Sequence, residues 1–158
     1  MRVLKFLRQE KILQGLHTPD IWGGTPLHYA CWRGHLKVVK LLLSEEEGEA
    51  AEVEAQDSQG DTALLLAIRR GSVPIASLLV ETFDANVNVE NFKKDTPLMA
   101  ACAINNLDIV NLLLDNNVER DPAAFEMLRG VTAAMIRKRL EIESGTDKEA
   151  KRGQRPTR

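Results

Sequence analysis

The chain has 158 residues, 44% of them hydrophobic and 28% charged, and a net charge of −2 at pH 7. That is the length of one domain, with apolar mass for a buried core and no excess of positive charge to draw it to nucleic acid. Two tryptophans, one tyrosine and four phenylalanines are too few to stack single strands. The longest uncharged apolar runs, 63–68 and 73–80, fall far short of the roughly 18 residues a membrane span needs.

Residues 1–16, MRVLKFLRQEKILQGL, are basic and amphipathic but lack the continuous apolar core and small-residue cleavage site of a secretory signal. A capping helix and an organelle presequence are the two readings left open there. The next stretch, GGTPLHYACWRGHLKVVKLLL from Gly23 to Leu43, carries its own punctuation. Thr25 is a good N-cap, because its hydroxyl can accept from the free amides of the first turn, and Pro26 suits a first helical position that needs no donor. Gly34 can take the left-handed conformation that ends a helix, and a second apolar pattern begins at Leu36. A helix, a tight turn and a second helix are predicted.

The unit recurs from Thr62 and Thr96, steps of 37 and 34 residues. Nine residues after each threonine stands Gly34, Gly71 or Asn105, residue types that tolerate a left-handed turn. The second-helix cores LKVVKLLL, VPIASLLV and LDIVNLLL superpose without gaps, with Pro74 in the first turn of its helix.

These residues resemble the ankyrin repeat, and the resemblance covers about residues 20–118. It implies an all-α solenoid of stacked helix-turn-helix units with short hairpin fingers. The chain departs from the family pattern where Ala63 replaces the proline, where Leu65 and Met99 replace the histidine kept at His28, and where Lys94 replaces the turn glycine of Gly23 and Gly60. In the family that histidine bonds neighbouring backbone, so its loss implies looser polar stitching and more apolar packing in two repeats.

The expected organisation is an N-terminal capping half-repeat at 1–19, repeat one with an acidic insertion at 20–57, repeat two at 58–91 and repeat three at 92–118. Degenerate capping helices follow at 119–143, then a disordered basic tail at 144–158. VLKFL at 3–7 looks like the second helix of an incomplete repeat, either a true cap or the remnant of a longer ankyrin protein. DPAAFEMLRG from Asp121 to Gly130 keeps the register of TPLHYACWRG, and a solenoid needs atypical ends to close its core. Residues 44–57 carry six glutamates and Asp57 with no basic residue, and read as a solvated loop extension rather than a docking element. The tail has five basic and two acidic residues and no apolar periodicity.

Hidden chemistry is not supported. His28, Cys31 and His35 have metal-ligand spacing, but Gly34 breaks the helix before His35 and no fourth ligand is near in sequence. No cofactor and no metal are expected. Cys31 and Cys102 occupy one structural position two repeats apart, about 20 Å with helices packed 8–10 Å apart, beyond the roughly 7 Å reach of a disulfide. Free buried thiols fit a reducing compartment, the cytoplasm or the nucleus. A Cys31–His28 nucleophile pair lacks an orienting third group, so no enzyme is expected. NVNVEN around Asn88 resembles loop asparagines that some ankyrin proteins have hydroxylated, though a plain loop asparagine is the simpler reading.

The resemblance implies partner binding on the concave side, at positions four, three and one before each threonine and seven and eight after it. Repeat one then presents Ile21, Trp22, Gly24, Trp32 and Arg33. Repeat two presents Ser58, Gln59, Asp61, Arg69 and Arg70, and repeat three Phe92, Lys93, Asp95, Ala103 and Ile104. Tryptophan and arginine dominate interface hot spots. The expected function is a non-catalytic protein-interaction module, an adaptor, scaffold or stoichiometric regulator, whose partner offers acidic groups around an apolar anchor. The alternatives are that Trp22 and Trp32 merely shield the first repeat, and that the chain is a structural subunit held by its convex face and basic tail.

Overall fold

The computed structural model describes residues 18–44 and 51–152. The expected half-repeat cap at the N-terminus, residues 45–50 of the acidic insertion and the tail beyond Arg152 lie outside them. Four helix pairs follow in order: α1 (Pro26–Arg33) with α2 (Leu36–Leu43), α3 (Ala63–Arg69) with α4 (Val73–Ser77), α5 (Pro97–Ala103) with α6 (Leu107–Asp115), and α7 (Pro122–Glu126) with α8 (Gly130–Arg152). Among the described residues, extended pairing is limited to one antiparallel bridge, Gln56 with Thr62. The all-α solenoid expected from the sequence is the fold observed.

Each first helix starts by the same chemistry. Thr25, Thr62 and Thr96 accept through Oγ1 from the backbone N–H three residues on, at 3.5, 3.3 and 3.1 Å, and Asp121 does the equivalent work on Ala123 N–H at 2.9 Å. Nine residues after each cap the chain turns left-handed, at Gly34, Gly71, Asn105 and Gly130, with φ of 76°, 74°, 55° and 61°. First helices pack in one row, α1 on α3, α3 on α5 and α5 on α7, and second helices in another, α2 on α4 and α4 on α6. Leu27, Leu43, Leu64, Ile68, Ile75, Leu98, Ile109 and Leu113 are fully buried between the rows in one continuous cluster. Each such side chain contributes about 1.5–3 kcal/mol of burial free energy.

His28 ties the first unit to the second. Its Nδ1 faces Thr25 N–H at 3.1 Å and Thr25 Oγ1 at 2.8 Å, and its Nε2 donates to the Asp61 carbonyl at 3.0 Å. Where Leu65 and Met99 take its place the contact is apolar, with Leu65 fully buried.

The ungapped superposition of the second helices holds only to Ser77. At Leu78–Thr82 the α-helix widens into a π turn. The next left-handed residue, Asp84 (φ 53°), lies thirteen positions after Gly71, whereas Asn117 (φ 57°) lies twelve after Asn105. The second unit has one residue too many, and a single wide turn absorbs it without shifting Leu79 and Val80 out of the core.

The C-terminal end also differs from expectation. Residues 144–152, anticipated as a tail without regular structure, continue α8 to Arg152. Gly145 costs a helix only about 1 kcal/mol, and the following Lys148, Glu149, Ala150, Lys151 and Arg152 are good helix formers. In the described part of the acidic insertion, Ala51 is buried and donates to the Leu42 carbonyl, and Glu54 accepts from Asn86 N–H at 2.8 Å. Within 51–57, Ala51 is thus anchored to the stack while Glu52, Glu54 and Gln56 stay exposed.

Candidate partner-binding surface

The loops before α1, α3 and α5 are three copies of one turn. Asp20, Asp57 and Asn91, each five residues before its threonine, accept through Oδ1 from the N–H groups two and four residues on. Those bonds measure 2.9 and 2.8 Å for Asp20, 2.8 and 3.0 Å for Asp57, and 2.9 and 2.9 Å for Asn91. The tips turn left-handed at Gly23, Gly60 and Lys94. Successive fingers are joined by Ser58 N–H to the Trp22 carbonyl at 2.8 Å and Phe92 N–H to the Gln59 carbonyl at 3.0 Å. A Cβ on Gly60 would stand 2.7 Å from Phe92 N, so Phe92 lies directly over that glycine.

On this frame the expected contact residues separate into two groups. Ile21, Trp22 (65% exposed), Trp32 (48%) and Phe92 (71%) open to solvent, as do Arg33, Ser58, Gln59, Arg70, Lys93 and Ala103, with Ile104 partly so. Arg33 and Arg70 form no ion pair among the described residues. Arg70 and Ile104 repeat one arrangement, each reaching back over the turn glycine of the preceding unit, Gly34 and Gly71.

Asp61, Arg69 and Asp95 are engaged with one another, and of the three only Asp61 is buried, the Asp95 side chain staying 40% exposed. Asp61 is 3% exposed. One of its carboxylate oxygens is paired with Arg69 and the other accepts from Asn91 Nδ2 at 2.7 Å. The same guanidinium holds Asp95 at 2.8 Å. The burial of Asp61 explains its pairing, since a buried carboxylate without donors costs several kcal/mol. This network replaces, between the second and third units, the polar stitch that His28 makes between the first and second. Gly24, also expected on the surface, is buried against the Tyr29 ring.

Tyr29 and Asp20 complete the surface and were not singled out by the repeat pattern. Tyr29 Oη donates to Asp20 Oδ2 at 2.6 Å. That bond holds the Asp20 carboxyl below its usual range, aided by the two backbone donors, and the same contact holds the Tyr29 hydroxyl above the ordinary tyrosine value. The spacing signal was present, since Asp20, Asp57 and Asn91 share one register, but only folding brings Tyr29 back onto the first of them.

Cys31 and Cys102 are free and buried. Desolvation alone raises their thiols from 9.0 to about 12 and about 11. Among the described residues no group of three or more His, Cys, Asp or Glu is placed to hold a metal ion, and no helix is long and apolar enough to cross a membrane.

A family model for ankyrin repeats (3 copies) matches residues 46–124, and one for a single ankyrin repeat matches residues 22–58. The chain is similar to human transient receptor potential cation channel subfamily A member 1, at 26% identity over 114 residues, covering 72% of this chain and 10% of that protein. It is 34% identical over 90 residues to the Drosophila melanogaster ankyrin repeat and KH domain-containing protein mask, covering 57% of this chain and 2% of the relative. It is also 31% identical over 123 residues to the Saccharomyces cerevisiae phosphate system positive regulatory protein PHO81, covering 69% and 10%. The chain spans a tenth or less of the length of each of these relatives. Ankyrin repeats are generally protein-interaction modules and generally non-catalytic. With its capped helix pairs, left-handed turns and hydrogen-bonded fingers matched over residues 22–124, the chain belongs to the ankyrin-repeat family.

Proposed function

We propose that this protein is a non-catalytic interaction module that grips a protein partner on the face formed by its fingers and first helices. The observation that carries the reading is the separation of roles along that face. The residues that build the stack are buried or paired, whereas Trp22, Trp32, Phe92, Arg33 and Arg70 are exposed on the hydrogen-bonded fingers and the ends of the first helices, and neither arginine forms an ion pair among the described residues. Large aromatic side chains fixed in place lose little entropy on binding, and arginine forks carboxylates bidentately. The partner surface that fits carries acidic groups, to meet Arg33, Arg70 and Lys93. Free buried thiols favour a reducing compartment, the cytoplasm or nucleus.

The test is quantitative affinity capture with Trp32→Ala and Arg70→Glu beside the unaltered protein. Each variant is expected to lose its partner by at least ~10-fold while melting within a few degrees of the parent, because both residues lie outside the core. Full retention of the partner by both variants rejects this face. A second reading, a subunit held in a larger assembly by its last helix, draws on the exposed Val131 and Met135, four residues apart on one side of α8. Val131→Lys with Met135→Lys would release such a subunit from its complex and leave capture through Trp32 unchanged.

A further inference from the structure

Both tryptophans of the chain line one cavity, and its walls define the group it can hold. The cavity, about 190 Å³, lies between the first and second fingers and is walled by Trp22, Tyr29 and Trp32 together with Asp57 and Gln59. It has room for one side-chain head group rather than a helix or a strand. Three aromatic side chains line it, and a ring that turns its face to a bound cation attracts it through the negative face of its π system. Tyr29 donates its proton to Asp20 at 2.6 Å, which leaves its ring more electron-rich. The hydrogen bond to Asp20 chiefly holds the Tyr29 hydroxyl above the ordinary tyrosine value, and the charges of Asp20 and Asp57 act in the same direction. No lysine or arginine lines the cavity; Lys93 is held at its rim, with Nζ on Gln59 Oε1 at 3.0 Å.

We propose that this cavity takes a weakly hydrated organic cation from a partner protein, a guanidinium or a methylated ammonium, caged by Trp22, Tyr29 and Trp32 and neutralised by Asp57. An anion would meet the Asp57 carboxylate there, and a neutral apolar group would draw nothing from it. A plain lysine ammonium must shed a tighter hydration shell to enter, so it binds more weakly than arginine or methylated lysine. The proposal rests on the protein-binding reading above and specifies its anchor: a cationic side chain in the cage, with acidic neighbours running toward Arg33 and Arg70.

The cage can be tested with defined probes. The indole N–H resonances of Trp22 and Trp32 report directly on the cavity, since the chain has no other tryptophan. They are followed while titrating the N-acetyl amides of arginine, trimethyllysine and lysine, and the neutral tert-butyl isostere of trimethyllysine. Saturable shifts of both resonances are expected with arginine or trimethyllysine, and which of the two binds more tightly identifies the class of partner side chain. The neutral isostere is expected to bind roughly 3- to 30-fold more weakly than trimethyllysine. Asp57→Asn keeps the turn acceptor, as Asn91 does in the third finger, and is expected to weaken cation binding with unchanged melting; Lys93→Ala is expected to strengthen it. Equal affinity for the neutral isostere overturns the proposal, as does the absence of shifts with every cation. If no cation binds while Arg70→Glu still abolishes partner capture, the cage alone falls and the interaction face stands.

Discussion

Adjacent arginines at the end of α3 have opposite roles, and the difference is one of partners rather than sequence. Arg69 is bound between Asp61 and Asp95 and keeps a buried carboxylate compensated, whereas Arg70 lies exposed over Gly34. Arg69→Ala should therefore cost about 2–3 kcal/mol in denaturant unfolding, at the low end for a broken buried pair because the guanidinium is partly exposed. Arg70→Ala should change stability by under about 0.5 kcal/mol. Equal effects of the two substitutions would show that the Asp61 network is not formed. The thiols give a second residue-scale expectation. Their folded values, about 12 and about 11, lie above the ordinary 9.0. A raised value means that the neutral form is favoured by folding, so the contribution is full below pH 9 and is lost as the pH rises through 11 to 12. Melting temperatures between pH 8 and 10.5 should fall more steeply for the unaltered protein than for a Cys31→Ala, Cys102→Ala variant. A thiol reagent at pH 7.5 should label neither cysteine until the protein unfolds.

At the scale of the element, the π turn at Leu78–Thr82 is a local repair of a one-residue excess. Two helices of the same role, α4 with its wide turn and α6, reach left-handed residues thirteen and twelve positions after their glycine or asparagine turn. Deleting exposed Thr82 should restore a regular α-helix and leave the melting temperature unchanged or raised. Deleting Asn111 from α6, which has no excess, should rotate Leu112, Leu113 and Leu114 off the core and cost more than about 4 kcal/mol. A comparable loss from both deletions would mean that the wide turn is structurally required. The ungapped alignment of apolar cores had hidden this excess. Leu78, Leu79 and Val80 remain in a suitable apolar pattern in either geometry, and hydrophobic periodicity over eight residues does not distinguish 3.6 residues per turn from one wider turn.

For the whole molecule, a stack in which each unit touches only its neighbours should open from its ends. Amide exchange is expected to be slowest in α3 and α5, which have first-helix neighbours on both sides, and fastest in the five-residue α7. His28→Ala should raise exchange in α1 and in the second finger together, because one imidazole joins Thr25 to the Asp61 carbonyl; a change confined to α1 would disprove that coupling. The chain alone determined the repeat, the caps at Thr25, Thr62, Thr96 and Asp121 and the left-handed turns, because these depend on residues within nine positions of one another. It also marked Trp22, Trp32, Phe92 and Arg70 as candidates for the binding face. Only the tertiary structure decided which candidates were free. Asp61 and Asp95 meet Arg69 and Asn91 across a finger boundary, and Tyr29 folds back onto Asp20 beside a second finger. The Arg69–Asp95 and Asn91–Asp61 contacts and the closing of the cavity by Asp57 depend on how one unit seats on the next, which residue spacing along the chain does not encode; the Tyr29–Asp20 bond is local but has no counterpart in the other two fingers to mark it.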